Sequence, residues 1–312
     1  MQKKSDNFIW ILTDIHGCYE ELYRLLIYCE EFPTQKYIFL GDYIDRGPDS
    51  RKVINLIKKI KNEKILLMGN HDKMMIDFFT KINKQNYRTY YEFWFMNGGE
   101  KTLLSYCENI NDLSTKEPME IIKNIFQKID SEGHIKFLTS LKFSHQEQIR
   151  IKNKKINFIF VHAGLNPYFN IEEQLAINSI NEYESYIYSK QISPAETIIW
   201  IREKFYDSEL NFLKDNILVH GHTPIHHILS NNQQEKFEIL NSNCIMPIIK
   251  YDNNGRMKTI NIDTGCVYGG FLTMLGLNEK YLSEGKILFF QIRKNEKKIY
   301  EHIIEFDSSI YN

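Results

Sequence analysis

The chain has 312 residues, 43% of them hydrophobic and 25% charged, enough to bury one large core. Its 39 Lys and Arg face 40 Asp and Glu, a formal net charge of −1, which argues against a nucleic-acid binder and against a protein held on anionic membrane by charge. The 5 cysteines, odd in number and without a C-x-x-C pair, argue against a disulfide framework or a Cys-based zinc site and read as free thiols in a reducing compartment.

Met-Gln-Lys-Lys is followed by only Phe8–Leu12 as a continuous apolar run, too short for a signal peptide. No stretch approaches the roughly 18 apolar residues of a membrane span, so the expectation is a cytoplasmic protein without membrane partners. Phe8–Leu12 itself is strand-like. Tyr19–Glu31 has helical spacing through Leu22, Leu25, Leu26 and Cys29, and Lys36–Leu40 is a second strand. Ser50–Lys61 is a second helix and Ile65–Met68 a third strand, an alternation that predicts a parallel or mixed sheet wrapped by helices. From about 74 to 143 the pattern turns helical and aromatic-rich, broken at Gly98-Gly99, and reads as an insertion beside the sheet. Strand character returns at Lys155–Val161 and Asn216–Val219. It continues through Phe237–Leu240, Ile245–Tyr251, Met257–Ile262, Phe271–Leu277 and Ile287–Arg293, which predict an antiparallel sheet completing a sandwich.

The informative feature is what ends the apolar runs. Asp14 and His16 follow the first (Thr-Asp-Ile-His-Gly), Asp42, Asp45 and Arg46 the second (Gly-Asp-Tyr-Ile-Asp-Arg-Gly), and Asn70, His71 and Asp72 the third (Gly-Asn-His-Asp). His162 follows Lys155–Val161, and His222 follows Asn216–Val219 across His220-Gly221. Ligands of α/β sheets bind beyond the carboxyl ends of the strands, so these residues are expected around one point. Carboxylate, amide and imidazole donors without thiolate suit hard or borderline divalent metals. Three His, two Asp and one Asn exceed the needs of one ion and suit a pair sharing a carboxylate. Such ions, about 3.5–4 Å apart, clamp a phosphoryl oxygen and acidify a bridging water. Arg46 and His71 suit phosphate binding and general-acid roles, with Asp45 aiming His71.

These motifs resemble those of the calcineurin-like metallophosphoesterase superfamily and, within it, of the phosphoprotein phosphatases of bacterial and phage type. The resemblance runs from Asp14 to about Leu277 and includes Asn97-Gly98-Gly99-Glu100 with Thr102-Leu103, Trp200-Ile201-Arg202-Glu203, and Ile262-Asp263-Thr264-Gly265 with Gly269-Gly270. It implies a single α/β domain over 1–312, a sandwich of two mixed β-sheets flanked by helices. It also implies that Asp14 and His16 hold a first metal, Asp42 bridges, and Asn70, His162 and His222 hold a second. His71 would be the general acid paired with Asp45, and Arg46, Arg202 and Asn70 would bind phosphate. Manganese, iron and zinc all suit this donor set. Where many relatives have Arg before Gly-Asn-His, this chain has Met68.

The implied reaction is hydrolysis of phosphoserine or phosphothreonine, with phosphotyrosine as an extension, by direct attack of a metal-bridging hydroxide. The partner would be a phosphorylated protein or a small phosphoester. The rival within the superfamily is a symmetrical dinucleoside tetraphosphatase or an RNA-cap-type pyrophosphohydrolase, against which Asp45-Arg46-Gly47 speaks and for which Met68 speaks. A metal-binding scaffold without catalysis is the rival of another class, and it has no need of His71 and Arg46 together. Plainer readings apply elsewhere. His220 reads as structural, His226 and His227 as surface or packing residues, and Tyr90, Tyr91, Phe93, Trp94 and Phe95 as core. Asp263 reads as organiser of a turn near the site.

Overall fold

The computed structural model describes residues 7–107, 118–230 and 233–312. Its strands are β1 (Phe8–Leu12), β2 (Thr34–Phe39), β3 (Glu63–Leu66), β4 (Ser144–Ile151), β5 (Lys154–Val161), β6 (Ile217–His220), β7 (Ile248–Tyr251), β8 (Met257–Asn261), β9 (Phe271–Leu277), β10 (Lys286–Arg293) and β11 (Ile299–Glu305). One sheet has the order β11-β10-β9-β1-β2-β3, the other β4-β5-β6-β8-β7. Both are mixed. β1, β2 and β3 run parallel, with Leu12 opposite Phe39 and Phe39 opposite Leu66, while β9 lies antiparallel to β1 with Ile9 opposite Leu277. In the second sheet β5, β6 and β8 run parallel, and β4 and β7 close the edges antiparallel.

This α/β sandwich of two mixed sheets explains why β1 reads Phe-Ile-Trp-Ile-Leu without a polar residue. Ile9 and Ile11 point between the sheets, onto Phe158, Phe160, Val219 and Phe289. Trp10 and Leu12 point the other way, into a core shared with Leu22, Leu25, Val53 and Ile57. Those four come from helices α1 (Tyr19–Cys29) and α2 (Ser50–Lys59). A strand buried on both faces has no polar alternation to show.

Three expectations need correction. The late strands do not form a sheet of their own, because β9, β10 and β11 extend the sheet of β1–β3 while β7 and β8 join β5 and β6. Phe237–Leu240 lies in a helix, Gln233–Asn241, with no buried residue. Strands β4 and β11 lie outside the expected set, β4 because its apolar residues are sparse and β11 because none of its residues is buried. Between β3 and β4 stand α3 (Asn70–Lys81), α4 (Tyr87–Met96), α5 (Gly99–Ser105), α6 (Pro118–Ser131) and α7 (His134–Thr139). The expected insertion also spans 108–117, which lie outside the described residues. No helix among the described residues is long and apolar enough to cross a membrane.

Candidate metal centre

Five chain segments leaving β1, β2, β3, β5 and β6 converge where the carboxyl ends of both sheets meet. Backbone bonds lock them to one another: Asp14 N–H donates to Gly41 C=O (3.2 Å), His16 N–H to Asp42 C=O (2.9 Å) and Gly221 N–H to His162 C=O (2.8 Å). Asp72, at the start of α3, accepts from the N–H groups of Asp42 (2.8 Å), Tyr43 (3.2 Å) and Gly69 (2.9 Å), tying the second loop to the third. Asp14 caps no helix, for α1 begins beyond it at Tyr19. Its Oδ2 accepts from His222 N–H (2.9 Å) and Thr13 Oγ1–H (2.6 Å), leaving Oδ1 toward His16.

The tautomers follow from the hydrogen bonds. His16 Nδ1–H donates to Ile44 C=O (2.8 Å), His162 Nδ1–H to Leu40 C=O (3.0 Å), and His222 Nε2–H to Trp200 C=O (3.1 Å). Carbonyl oxygens only accept, so the opposite nitrogen of each ring presents a lone pair inward. His162 Nε2 lies 3.0 Å from Asn70 Oδ1, 3.2 Å from His222 Nδ1 and 3.4 Å from Asp42 Oδ2. His16 Nε2 lies 3.4 Å from the same Asp42 Oδ2 and 3.9 Å from Asp14 Oδ1. His16 Nε2 already meets the Arg46 guanidinium at 2.7 Å, but the other electron-rich atoms turned on one another at these distances repel unless a cation lies among them. Asp42 Oδ2 stands between the two sets and can serve both. The donor chemistry therefore fits two divalent cations, with Asp14, His16 and Asp42 able to hold one and Asp42, Asn70, His162 and His222 the other.

The electrostatics agree. Burial works against the charged form of His162, but Asp42, with Asp14 and Asp72, raises it to about 9, so the field at that nitrogen calls for positive charge. Burial likewise opposes ionisation of Asp42. The imidazoles of His162, His71 and His16 more than offset it and hold the carboxyl well below the usual range.

His71 sits beside these groups with Nδ1 2.9 Å from Asp45 Oδ2. Burial pulls His71 down to about 3 and pushes Asp45 well above the usual carboxylate range, so the buried pair stays net neutral around one shared proton. Two residues to which the sequence assigns no role at the site fix Asp45. Trp94 Nε1–H donates to its Oδ2 (2.9 Å) and Thr102 Oγ1–H to its Oδ1 (2.6 Å). Trp94 is core, as expected, and its polar edge adds the bond to Asp45. Gly98, at φ 96°, accepts from Arg46 N–H (3.1 Å), and a Cβ there would meet Arg46 at 2.9 Å, so the Asn97-Gly98-Gly99 segment seats Arg46.

Arg46 and Arg202 line one cleft of about 630 Å³ together with His222, Tyr206, His227, Lys250 and Tyr268. The Arg46 guanidinium lies 5.4 Å from the Tyr268 ring and 2.7 Å from His16 Nε2. His227, expected as surface or packing, faces this cleft, whereas its neighbour His226 is buried. His220 stands apart from the metal-capable groups, edge-on to Phe205 at 5.1 Å. Asp263 accepts from Gly265 N–H (3.0 Å) in the turn that carries Tyr268. Met68 is fully buried in the helix-side core. Cys18 and Cys266 are buried beside Glu21, away from the cleft lining.

Over 283 residues the chain is 27% identical to the asymmetrical bis(5′-nucleosyl)-tetraphosphatase PrpE of Oceanobacillus iheyensis, covering 86% of this chain and 88% of that protein. Over 313 residues it is 25% identical to the symmetrical bis(5′-nucleosyl)-tetraphosphatase of Wigglesworthia glossinidia brevipalpis, covering 91% and 98%. Among solved structures, a protein serine/threonine phosphatase from Saccharomyces cerevisiae is similar in fold, with a TM-score of 0.50 and 14% identity over 97% of this chain and 81% of that one. The family of calcineurin-like phosphoesterases matches residues 9–243. A match of that extent means that the chain belongs to the calcineurin-like phosphoesterase family and is a metal-dependent phosphoesterase.

Proposed function

We propose that the protein hydrolyses bis(5′-nucleosyl) tetraphosphates. The observation that carries this reading is the cleft of about 630 Å³ beside the shared carboxylate, in which Arg46, Arg202 and Lys250 stand among the aromatic rings of Tyr206 and Tyr268. Cations for a chain of phosphates and rings for a base are found in one place. Both tetraphosphatases named above align along nearly their full length, which supports the same reading.

In this reading Asp14 and His16 hold one cation, Asn70, His162 and His222 the other, and Asp42 both. Two divalent cations held there would supply Lewis acidity toward a phosphoryl oxygen and would lower the pKa of a bound water. Arg46 and Arg202, with Asn70, hold the oxygens of the attacked phosphate, and the planar guanidinium fork matches them in pairs. That water, its proton lost to bulk solvent, would bond through oxygen to phosphorus as the bridging P–O bond breaks. His71, its Nδ1 committed to Asp45, delivers a proton from Nε2 to the leaving oxygen.

A phosphoserine or phosphothreonine monoester is the second reading, favoured by the Asp45–His71 pair at 2.9 Å. An alkoxide leaving group needs such an acid more than a nucleotide does. The deciding assay is turnover of diadenosine tetraphosphate beside a phosphopeptide panel, with manganese added. The dinucleotide is expected to have the higher kcat/KM, and the reverse order sinks the first reading.

A further inference from the structure

A second recess, a groove of about 590 Å³, is lined by Phe93, Tyr90, Lys73, Lys81 and Trp200 among others. Trp200 lies two residues before Arg202, which lines the cationic cleft, so the 200–202 segment divides the two recesses. Trp200 also touches the metal-capable cluster, its carbonyl accepting from His222 Nε2–H (3.1 Å) and its ring lying edge-on to His222 with centroids 6.2 Å apart. Trp200 thus links the groove it lines to the imidazole that lines the cleft.

Its charge is balanced where that of the cleft is positive, the cleft setting Arg46, Arg202 and Lys250 against Glu203 and Asp207. Lys73 is paired with Asp77 (2.5 Å) and Glu184 (3.3 Å), and both acids line the groove with it. Lys81 lies over the Tyr90 ring at 5.9 Å. The groove therefore offers two cations against two carboxylates, a poor site for polyphosphate but a good one for an uncharged head with donors and acceptors of its own. Phe93 is 50% exposed although its neighbour Trp94 is fully buried, and it holds its ring 5.8 Å from Trp200 at an interplanar angle of 35°. Two adjacent rings at the mouth of a recess form a platform for a flat heteroaromatic group.

We infer that this groove is a nucleoside subsite, with one nucleobase of the substrate resting on Phe93 and Trp200 while the phosphates lie across the metal cluster into the arginine cleft. This rests on the dinucleoside polyphosphate reading above and adds to it where one head goes. Recesses of about 590 and 630 Å³ that adjoin along the 200–202 segment suit a substrate with a nucleoside at each end.

The test compares wild type with Phe93→Ala and Phe93→Tyr on diadenosine tetraphosphate and on 4-nitrophenyl phosphate, with uncharged adenosine as competitive inhibitor. The half-exposed position tolerates both substitutions. Phe93→Ala is expected to raise KM for the dinucleotide about 5- to 50-fold, at least about 5-fold more than for the aryl phosphate. It should weaken adenosine inhibition to the same degree, and Phe93→Tyr should restore both. Equal effects of Phe93→Ala on both substrates, or unchanged adenosine inhibition, would overturn the subsite while leaving the tetraphosphatase reading intact. No turnover of the dinucleotide by wild type would overturn the reading and the subsite together. A Phe93→Ala defect seen with phosphopeptides alone would assign the groove to a peptide side chain.

Discussion

The strand interiors of the sandwich and the loops that leave their carboxyl ends are built on different backbone rules. Within β1, β2, β5 and β6 every described residue keeps extended geometry, and the apolar side chains alternate between two cores. Beyond those strands, Asp14, His16, Asp42, Asp45, Arg46 and His222 all take positive φ, between 45° and 71°. Non-glycine residues there cost of order 1 kcal/mol or more each and persist only where the surroundings leave no alternative. The far turn at Asp252–Gly255 has no such surroundings, and nothing lies within 4 Å of where a Gly255 Cβ would be. The difference teaches that the site is over-determined by its neighbours, whereas the periphery tolerates change. Substitutions at the two ends should therefore fail in different ways.

The largest effect is expected at the centre. Asp42→Asn removes the charge proposed to serve both cation positions, and kcat/KM should fall by more than about 10³-fold with at least one metal lost. Elemental analysis checks it, and a variant with its full complement of metal would mean that Asp42 does not bridge. His71→Ala should keep the metals and lower kcat by about 10²–10⁴ on an alkyl phosphate. The loss should be much smaller on an activated aryl phosphate or a dinucleoside tetraphosphate, whose leaving oxygen scarcely needs a proton. Equal losses on all three would remove His71 as the acid.

Gly47 and Gly255 put the comparison directly. A Cβ at Gly47 would stand 2.0 Å from His16 O, a backbone atom that cannot move without moving His16. Gly47→Ala should therefore weaken metal binding by about 10- to 100-fold, as other displaced ligands do, while far-UV circular dichroism keeps the folded signature. Gly255→Ala meets nothing but has φ 75°, so about 1 kcal/mol of stability should be lost with metal affinity untouched. Metal titration and urea denaturation separate the two outcomes. A Gly47 variant that loses only stability would show that the loop is less confined than its contacts imply.

What the sequence made legible divides along the same line. Strands buried on both faces and ended by polar residues (β1, β2, β5, β6) announce both the sheet and the residues brought together, because burial and ligation demand different residue types at adjacent positions. β4 was missed because only Ser144, Ile149 and Ile151 of its eight residues are buried, and β11 because none of its residues is. The Phe-Glu-Ile-Leu of 237–240 has the composition of a strand, yet it lies on a helix without a fully buried residue, where only Ile239 and Leu240 pack, against the small cluster of Ile225, Ile245 and Phe271. Phe93 and Trp94 adjoin in one aromatic run but face opposite ways, one to the groove and one to Asp45. A run of apolar letters cannot show which face of α4 meets what.

The smallest effect is expected away from the metal centre, on the seam where the β3 edge of one sheet adjoins the β4 edge of the other. There Glu147 accepts from Lys36 Nζ of β2 (2.6 Å) and from His145 Nε2 (2.8 Å), while Lys36 also reaches Glu63 (3.1 Å). The His145 hydrogen bond, with burial opposing and Lys36 assisting, holds the Glu147 carboxyl down at about 2. A folded-state pKa below the unfolded value of 4.5 contributes stability that is present above pH 4.5 and lost as pH falls toward about 2. The Glu147 side chain is 19% exposed, so solvent screening trims the effect, and Glu147→Gln should cost about 1 kcal/mol at pH 7. Turnover and metal content should match wild type, because no ligand loop touches this clasp. Urea denaturation at pH 7 and pH 3 gives the sharper reading: the gap between wild type and variant should narrow at pH 3. A gap of equal size at both pH values would show that Glu147 acts by packing and not by its charge.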